Sequence, residues 1–378
     1  MMKQIYLDHA ATSPMHPEAA SVFAQALSEH YGNPSSIHQT GRDARRILDE
    51  ARRTLATSIQ ADDTEIIFTS GGTEADNLAI FGTASAKEGR HIITTQAEHH
   101  AVLHACEELA KQGYDVTYLP VDETGRVKPE DVKQALRNDT ILVTVMLANN
   151  EIGTIQPIAE IGELLKGTNV TFHTDAVQAY GLLPIDVDEL NVDLLSVSAH
   201  KVNGPKGIGF LYQRKNTALK PLMYGGEQER KRRAGTENVP AIQAFASAVK
   251  IAQETMEDKR QAFNGFKEIF RAEFKENGID FKENGIDQLP HIFNVSLNGI
   301  DIESFLVNLD LSGISASSGS ACTAGSIDPS HVLVAMYGQN AAELRNSIRF
   351  SFGIGLTATD ITQAAEKTAQ ITKRLAQK

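Results

Sequence analysis

Apolar residues in this chain fall first into helical spacing and then into short continuous runs. Ala44, Ile47, Leu48, Ala51 and Leu55 recur every three or four positions with Arg and Glu between them, which predicts an amphipathic helix packed on a folded body. Pro17 suits a first helical turn and predicts an earlier helix, after an extended leading segment YLDHAATSP (Tyr6 to Pro14). From Glu65 the pattern changes to seven apolar runs, EIIFT, HIITT, DVTYL, TILVTVM, NVTFHT, DLLSVS and GIGFLYQ, most of them separated by helical stretches. Such runs predict a seven-stranded, mostly parallel sheet covered by helices on both faces, an α/β architecture. One long helix from Val239 to about Phe274 then leads away from the sheet. HIFNVSL, GISAS and NSIRFSF predict strands of a smaller C-terminal α+β unit, with helices at Ile302 to Leu309, around His331 to Met336, and from Thr359 onward. The expected division is a large unit of residues 15–256 and a small unit built from 1–14 and 257–378. FKENGID occurs twice in tandem (Phe274 to Asp280, Phe281 to Asp287), too few and too short for a repeat architecture, and is expected to be a local duplication in a surface connection without functional role.

Length and composition narrow the class. A chain of 378 residues exceeds the size at which a single core stops growing, so two domains are expected. Hydrophobic residues make up 41%, and no apolar run approaches the ~20 residues of a membrane span. The opening MMKQIYLDHAATSP lacks the basic, apolar and small-residue zones of a signal peptide, so a cytoplasmic location is expected. A net charge of −12 argues against generic binding to nucleic acid or anionic membranes. The densest basic run, QERKRR (Gln228 to Arg233), reads as a solvated loop. Two cysteines cannot form a disulfide framework, which fits a reducing compartment. Cys106 shares the apolar side of a helix with Val102 and Leu109 and reads as a buried spacer, whereas Cys322 lies among small and polar residues in SSGSACTAGSIDPS, where burial is no reason for it.

The candidate chemistry gathers at strand ends. Lys201, in SVSAHKVNGPKGIG, follows one predicted strand, and Asp175, in NVTFHTDAVQAYG, ends another. A lysine amine that can form a Schiff base, paired with an aspartate that can keep a pyridine nitrogen protonated, is what a pyridoxal phosphate site requires. Thr73, His99 and Asn150 also fall just past predicted strands, so the five should converge on one edge of the sheet. SGGTEADN (Ser70 to Asn77) places Gly72 and Thr73 where a helix begins, a position suited to a phosphate. No metal-ligand set is expected, and GPKGIG does not fit the nucleotide P-loop.

SAHKVNGPKGIG, HTDAVQ, ANNEIGTIQPI, SGGTEADNLAI, AEHHAVL, RRAGTEN and SGSACTAG, in that family's order between YLDHAATSP and SIRFSFG, resemble the NifS/IscS-type cysteine desulfurases of the fold-type I pyridoxal phosphate enzymes. The resemblance implies pyridoxal 5'-phosphate as cofactor, bound to Lys201, with Asp175 on the ring nitrogen and Asn150 and Gln178 on the phenolic oxygen. It places Ser198 and His200 on the phosphate with Gly72 and Thr73, and Thr236, in the GTEN motif, on the phosphate of the other subunit, which implies a homodimer, and it makes QERKRR a loop near the subunit boundary rather than merely a solvated one. His99 would stack on the ring and shuttle protons, a role suited to a pKa near the working pH; His100 is assigned nothing. Arg349, with Asn33 as a second partner, would bind the substrate carboxylate. Cys322 would take sulfur from L-cysteine as a persulfide, leaving L-alanine, and deliver it to an iron–sulfur scaffold or a tRNA-thiolation protein. The alternatives are an aminotransferase or selenocysteine lyase of the same fold, for which Cys322 is dispensable, and a nucleotide-binding or scaffold protein without covalent chemistry.

Overall fold

The computed structural model describes residues 4–318 and 329–376. Its strands are β1 (Ile5–Tyr6), β2 (Ile66–Thr69), β3 (His91–Thr95), β4 (Asp115–Leu119), β5 (Thr140–Thr144), β6 (Thr171–Asp175), β7 (Leu194–Ser198), β8 (Gly209–Gln213), β9 (Phe281–Glu283), β10 (Ile292–Leu297), β11 (Ile314–Ser315) and β12 (Ser347–Ser351). The seven apolar runs are β2 to β8, and they form one sheet in the order β2-β8-β7-β6-β5-β3-β4. β3 to β7 pair in parallel, and β8 runs antiparallel between β2 and β7. Every residue of β2, β3, β5, β6 and β7 is buried, as unbroken apolar runs between helical layers require, while the edge strand β4 is partly exposed. The helix over residues 44–55 extends over Gln39–Thr57 and buries the five apolar positions read from its spacing.

A second apolar cluster is built from aromatic side chains. Phe263, Phe266, Phe270 and Phe274 on one helix pack with Phe293, Phe350 and Phe352 beside the antiparallel sheet β12-β10-β9. The N-terminal residues Ile5 and Leu7 join this cluster, and β1 pairs in parallel with β11. The long helix expected from Val239 to Phe274 is instead two, Val239–Glu254 and Met256–Glu276. Thr255 breaks it: both its amide and its hydroxyl return to the Ile251 carbonyl, and the acidic residues Glu257 and Asp258 favour a new helix start there.

One surface reading is corrected, and a second surface segment is held more firmly than its composition suggests. In the FKENGID duplication, the first copy ends the helix Met256–Glu276 and the second forms β9, hydrogen-bonded to β10. Asn277 caps the helix and Gly278 takes a left-handed φ of 65°, while the matching Asn284 is fully buried and its amide reaches Asn294, Ser296 and Ser347. The second copy is thus part of a sheet and its polar core. QERKRR is also anchored: Glu229 is buried, held by two bonds from the Arg52 guanidinium at 2.6 and 2.8 Å, and accepts from the Phe68 amide at 3.0 Å. That anchor holds Glu229, Arg230 and Lys231 at left-handed φ values of 47°, 55° and 66°, which solvated residues would not keep. Among the described residues no helix is long and apolar enough to cross a membrane.

Candidate active site

The C-terminal ends of the parallel strands open into a cavity of about 760 Å³. At one end, β2 passes through Gly71, whose φ of 151° only glycine tolerates, into the helix Gly72–Ala86. A Cβ on Gly72 would lie 2.7 Å from Val177 Cγ2, so the helix N-terminus approaches the β6 turn closely only because no side chain intervenes. Thr73 and Ser198 line this end with His200, whose Nδ1 is 3.2 Å from the Thr12 hydroxyl. Burial, with Lys201 and Lys206 adding to it, pushes His200 down to about 4, so its ring is neutral. Unpaired amides of a helix's first turn, facing hydroxyls and a neutral N–H donor, can hold a phosphate.

Lys201 and Asp175 occupy the middle. Lys201 follows β7 in a short 3₁₀ turn, and its Nζ donates to the carbonyl oxygens of Ala10 and Ala11. Burial pushes the ammonium down to about 8, the Arg349 charge acting the same way and Asp175 and Asp8 opposing. Asp175 ends β6 and accepts from the Val177 amide at 2.8 Å; burial raises it to about 6, partly offset by that amide and by Lys201. The Gln178 amide donates to the Ala10 carbonyl at 3.0 Å, and His291 donates to its oxygen at 3.4 Å.

His99 caps the helix His100–Lys111, its Nδ1 accepting from the Ala101 amide at 3.1 Å, which leaves the proton on Nε2. Its side chain is exposed toward the cavity, and desolvation by the surrounding cavity wall pushes its pKa down to about 4, with Lys201 and the neighbouring His100, His331 and His104 adding to this. With that shift the ring is a neutral imidazole carrying its proton on Nε2.

Arg349 is 3% exposed on β12, facing the cavity rather than solvent. One Nη donates to the Asn150 carbonyl and the other to Asp8 Oδ1, each at 2.8 Å, and the buried Nε has no partner among the described residues. That edge can fork a carboxylate.

The sequence reading named ten residues that this one cavity brings together: Gly72, Thr73, His99, Asn150, Asp175, Gln178, Ser198, His200, Lys201 and Arg349. Asn33 and Thr236 are exposed and do not line it, and the Asn33 side chain instead accepts from the Ser35 amide at 2.9 Å. Cys322 lies outside the described residues, although Ser317, five positions before it, lines the cavity. Cys106 is fully buried among Val102, Ala105 and Leu109, and burial pushes its thiol up to about 12. Among the other residues lining the cavity are carboxylates that the sequence did not single out, notably Asp8 and Asp76, with Glu74 held by Arg233. Asp8 lies within YLDHAATSP and Asp76 within SGGTEADN, so motif membership was the only available signal.

The donor set fits pyridoxal 5'-phosphate: phosphate donors at a helix N-terminus, an amine weakened by burial for the aldehyde, a buried carboxylate for the ring nitrogen, and an unpaired guanidinium edge for an amino-acid carboxylate.

The Aminotransferase class-V family profile matches residues 5–363. The chain is 57% identical over 378 residues to a protein of Bacillus subtilis (strain 168) named "Putative cysteine desulfurase IscS 1", covering 99% of this chain and 100% of that one. Among solved structures it superposes on a "NIFS-LIKE PROTEIN" with a TM-score of 0.91 at 33% identity, covering 98% of this chain and 100% of the other. It superposes on "SspA in complex with cysteine" with a TM-score of 0.80 at 36% identity, covering 92% and 98%. Profile, relatives and superpositions agree with the cavity's donor set, and the chain belongs to the class-V aminotransferase family, among its NifS/IscS-type cysteine desulfurases.

Proposed function

We propose that this protein is a homodimeric, cytoplasmic, pyridoxal 5'-phosphate-dependent cysteine desulfurase that converts L-cysteine to L-alanine and passes the sulfur through Cys322 to an acceptor for iron–sulfur assembly or tRNA thiolation. The observation that carries it is one cavity holding Lys201, Asp175 and the unpaired edge of Arg349. Bound there, the cofactor would supply an electron sink that loosens bonds around the substrate's α-carbon.

The chain's residues divide the remaining work. Lys201 would carry the cofactor and, as a free amine, take the α-proton of the substrate. His99, neutral with its proton on Nε2, would move a proton on the opposite face. Arg349 would fix the carboxylate, and Asn150 and Gln178 the phenolic oxygen. The Cys322 thiolate would attack the substrate sulfur: the S–S bond forms, the Cβ–S bond breaks with its electron pair going to the carbon skeleton, and protonation there gives alanine. Cysteine plus enzyme thiol thus becomes alanine plus enzyme persulfide, with atoms and electrons balanced. Ser317, five positions before Cys322, lines the cavity, which supports a role for Cys322 there.

Thr236 and Asn33 support the homodimer, because residues outside their own cavity can complete a partner's. Apolar side chains near them in sequence are bare, Tyr31 at 78%, Ile37 at 91% and Tyr224 at 82% exposed. The separate aromatic cluster supports the division into 15–256 and 1–14 with 257–378. Incubation of purified holoenzyme with L-cysteine, with alanine and sulfide quantified, tests the reaction; transamination, or elimination without persulfide on Cys322, would reject it.

A further inference from the structure

Asp76 is the carboxyl that no step above uses. It lies at the fifth position of the helix Gly72–Ala86, 1% exposed at the cavity wall, and its Oδ1 has no hydrogen-bond partner among the described residues. One ligand atom each from Asp76, Asp175 and His99 lie within 4.8 Å of one another. We infer that Asp76 stays a neutral carboxylic acid and donates its proton toward Asp175, so that Asp175 is the single anion offered to the ring nitrogen of the cofactor; Asp76 is then a positioning residue. This rests on the proposed cofactor.

The surroundings decide which of the two carboxyls ionises. Asp175 has the Val177 amide and the attraction of Lys201. Burial disfavours a charge on Asp76 and the neighbouring Asp175 disfavours it further, with only the Ser196 hydroxyl helping; Glu98, itself pushed up to about 8 by burial, offers no countercharge. His99 offers no positive charge, being neutral. His173, whose Nε2 is 3.6 Å from Asp76 Oδ1, is neutral too, since burial pushes it to about 3 while the Thr144 and Ser196 hydroxyls hold its two nitrogens at 2.8 and 2.9 Å. Two adjacent carboxylates in a dry site cannot both ionise, and the proton belongs on the one without a countercharge. An aspartate's terminal torsion is soft, so rotation can turn the Asp76 hydroxyl toward the Asp175 oxygen that lies within 4.8 Å of it.

The test uses wild type, Asp76→Asn, Asp76→Leu and Asp175→Asn, each freed of cofactor and titrated with pyridoxal 5'-phosphate. The absorbance of the bound cofactor is then followed from pH 6 to 9. Asp76→Asn should keep affinity within about twofold and leave the pH profile unchanged, because one neutral donor replaces another. Asp76→Leu keeps the branched side-chain skeleton but cannot donate, and should lose about tenfold in affinity. An Asp76→Asn variant with a displaced pH profile would show that Asp76 is ionised and overturn the inference. So would an Asp76→Leu variant that binds like wild type. Zinc binding that competes with the cofactor and disappears in Asp76→Asn would reassign Asp76, His99 and Asp175 to a metal. Failure of wild type to take up the cofactor, or full retention by Asp175→Asn, would strike the proposed function itself, which keeps the two failures apart.

Discussion

Replacing Arg349 by Ala should raise the KM for L-cysteine far more than it lowers kcat. The guanidinium is buried, two of its nitrogens are committed to the Asn150 carbonyl and Asp8, and Nε is left without an acceptor. A substrate carboxylate would satisfy that donor, whose burial alone costs about 1–3 kcal/mol, and would add a charge-assisted bond of about 1.5–3 kcal/mol. Asp8 already shares the guanidinium and takes back part of that gain, so a net 2–4 kcal/mol is expected, roughly 30- to 1,000-fold in KM. Arg349→Lys should recover only part, because an ammonium cannot present two parallel donors. Removal of the arginine also leaves Asp8 facing the incoming carboxylate, so Asp8→Asn in the Arg349→Ala background should restore some affinity. The assay is alanine formation over a range of cysteine concentrations, with cysteamine, which lacks the carboxylate, as a competing ligand. Cysteamine should inhibit wild type and Arg349→Ala with similar constants. Equal losses for cysteine and cysteamine would mean that the substitution damages the cavity generally, and unchanged KM in both Arg349 variants would assign the carboxylate elsewhere.

Lys201→Ala should fold and yet retain no cofactor covalently, so mass spectrometry after borohydride reduction should find the mass increment in wild type alone; an increment in the variant would displace the centre of the site. The lowered pKa of Lys201, about 8, means that the free amine is gained as pH rises through that value, and cofactor uptake should accelerate to about pH 8 and then level off. Acceleration continuing toward pH 10, as for an ordinary lysine, would contradict the burial argument. Cys322→Ser should bind cofactor and cysteine but form alanine only at background, and after brief incubation of wild type with cysteine the extra sulfur should be on the Cys322 peptide; sulfur on the Cys106 peptide would reject the assignment. Cys106, buried and with its thiol raised to about 12, should resist iodoacetamide in the folded protein and react only on unfolding.

What could be read from the sequence was what short stretches specify by themselves. Unbroken apolar runs are buried strands, so the seven strands of the main sheet and the residues just past their ends were legible, and most of the cavity with them. Asp8 was not, because its meaning comes from an arginine 341 positions away, brought close by the pairing of β1 with β11 and the β12 strand alongside. Asp76 was hidden because its neighbours, His173 and Asp175 on β6 and Glu98 after β3, are remote from it in sequence. The pKa of His99 escaped for the same reason: Lys201 and His331 are remote in sequence and adjacent in space. Thr255 could not be seen as a helix break, since the polar pattern on either side continues at helical spacing.

The two copies of FKENGID have further consequences for how this region came to be built. Identical residues end a helix in one place and pair as a strand in the next, and the two phenylalanine rings, Phe274 and Phe281, even pack edge to face at 5.2 Å. What the copies share is a reversal at their Asn-Gly pair, with Gly278 and Gly285 both at positive φ, and what differs is the direction in which the chain arrives. The heptapeptide therefore carries a corner and an apolar plug rather than a secondary structure, and its conformation is inherited from whatever precedes it. Deleting residues 281–287 would not restore a simpler ancestor: the remaining copy would have to finish the helix and supply the sheet edge at once, and the buried ring of polar contacts around Asn284 would lose its centre.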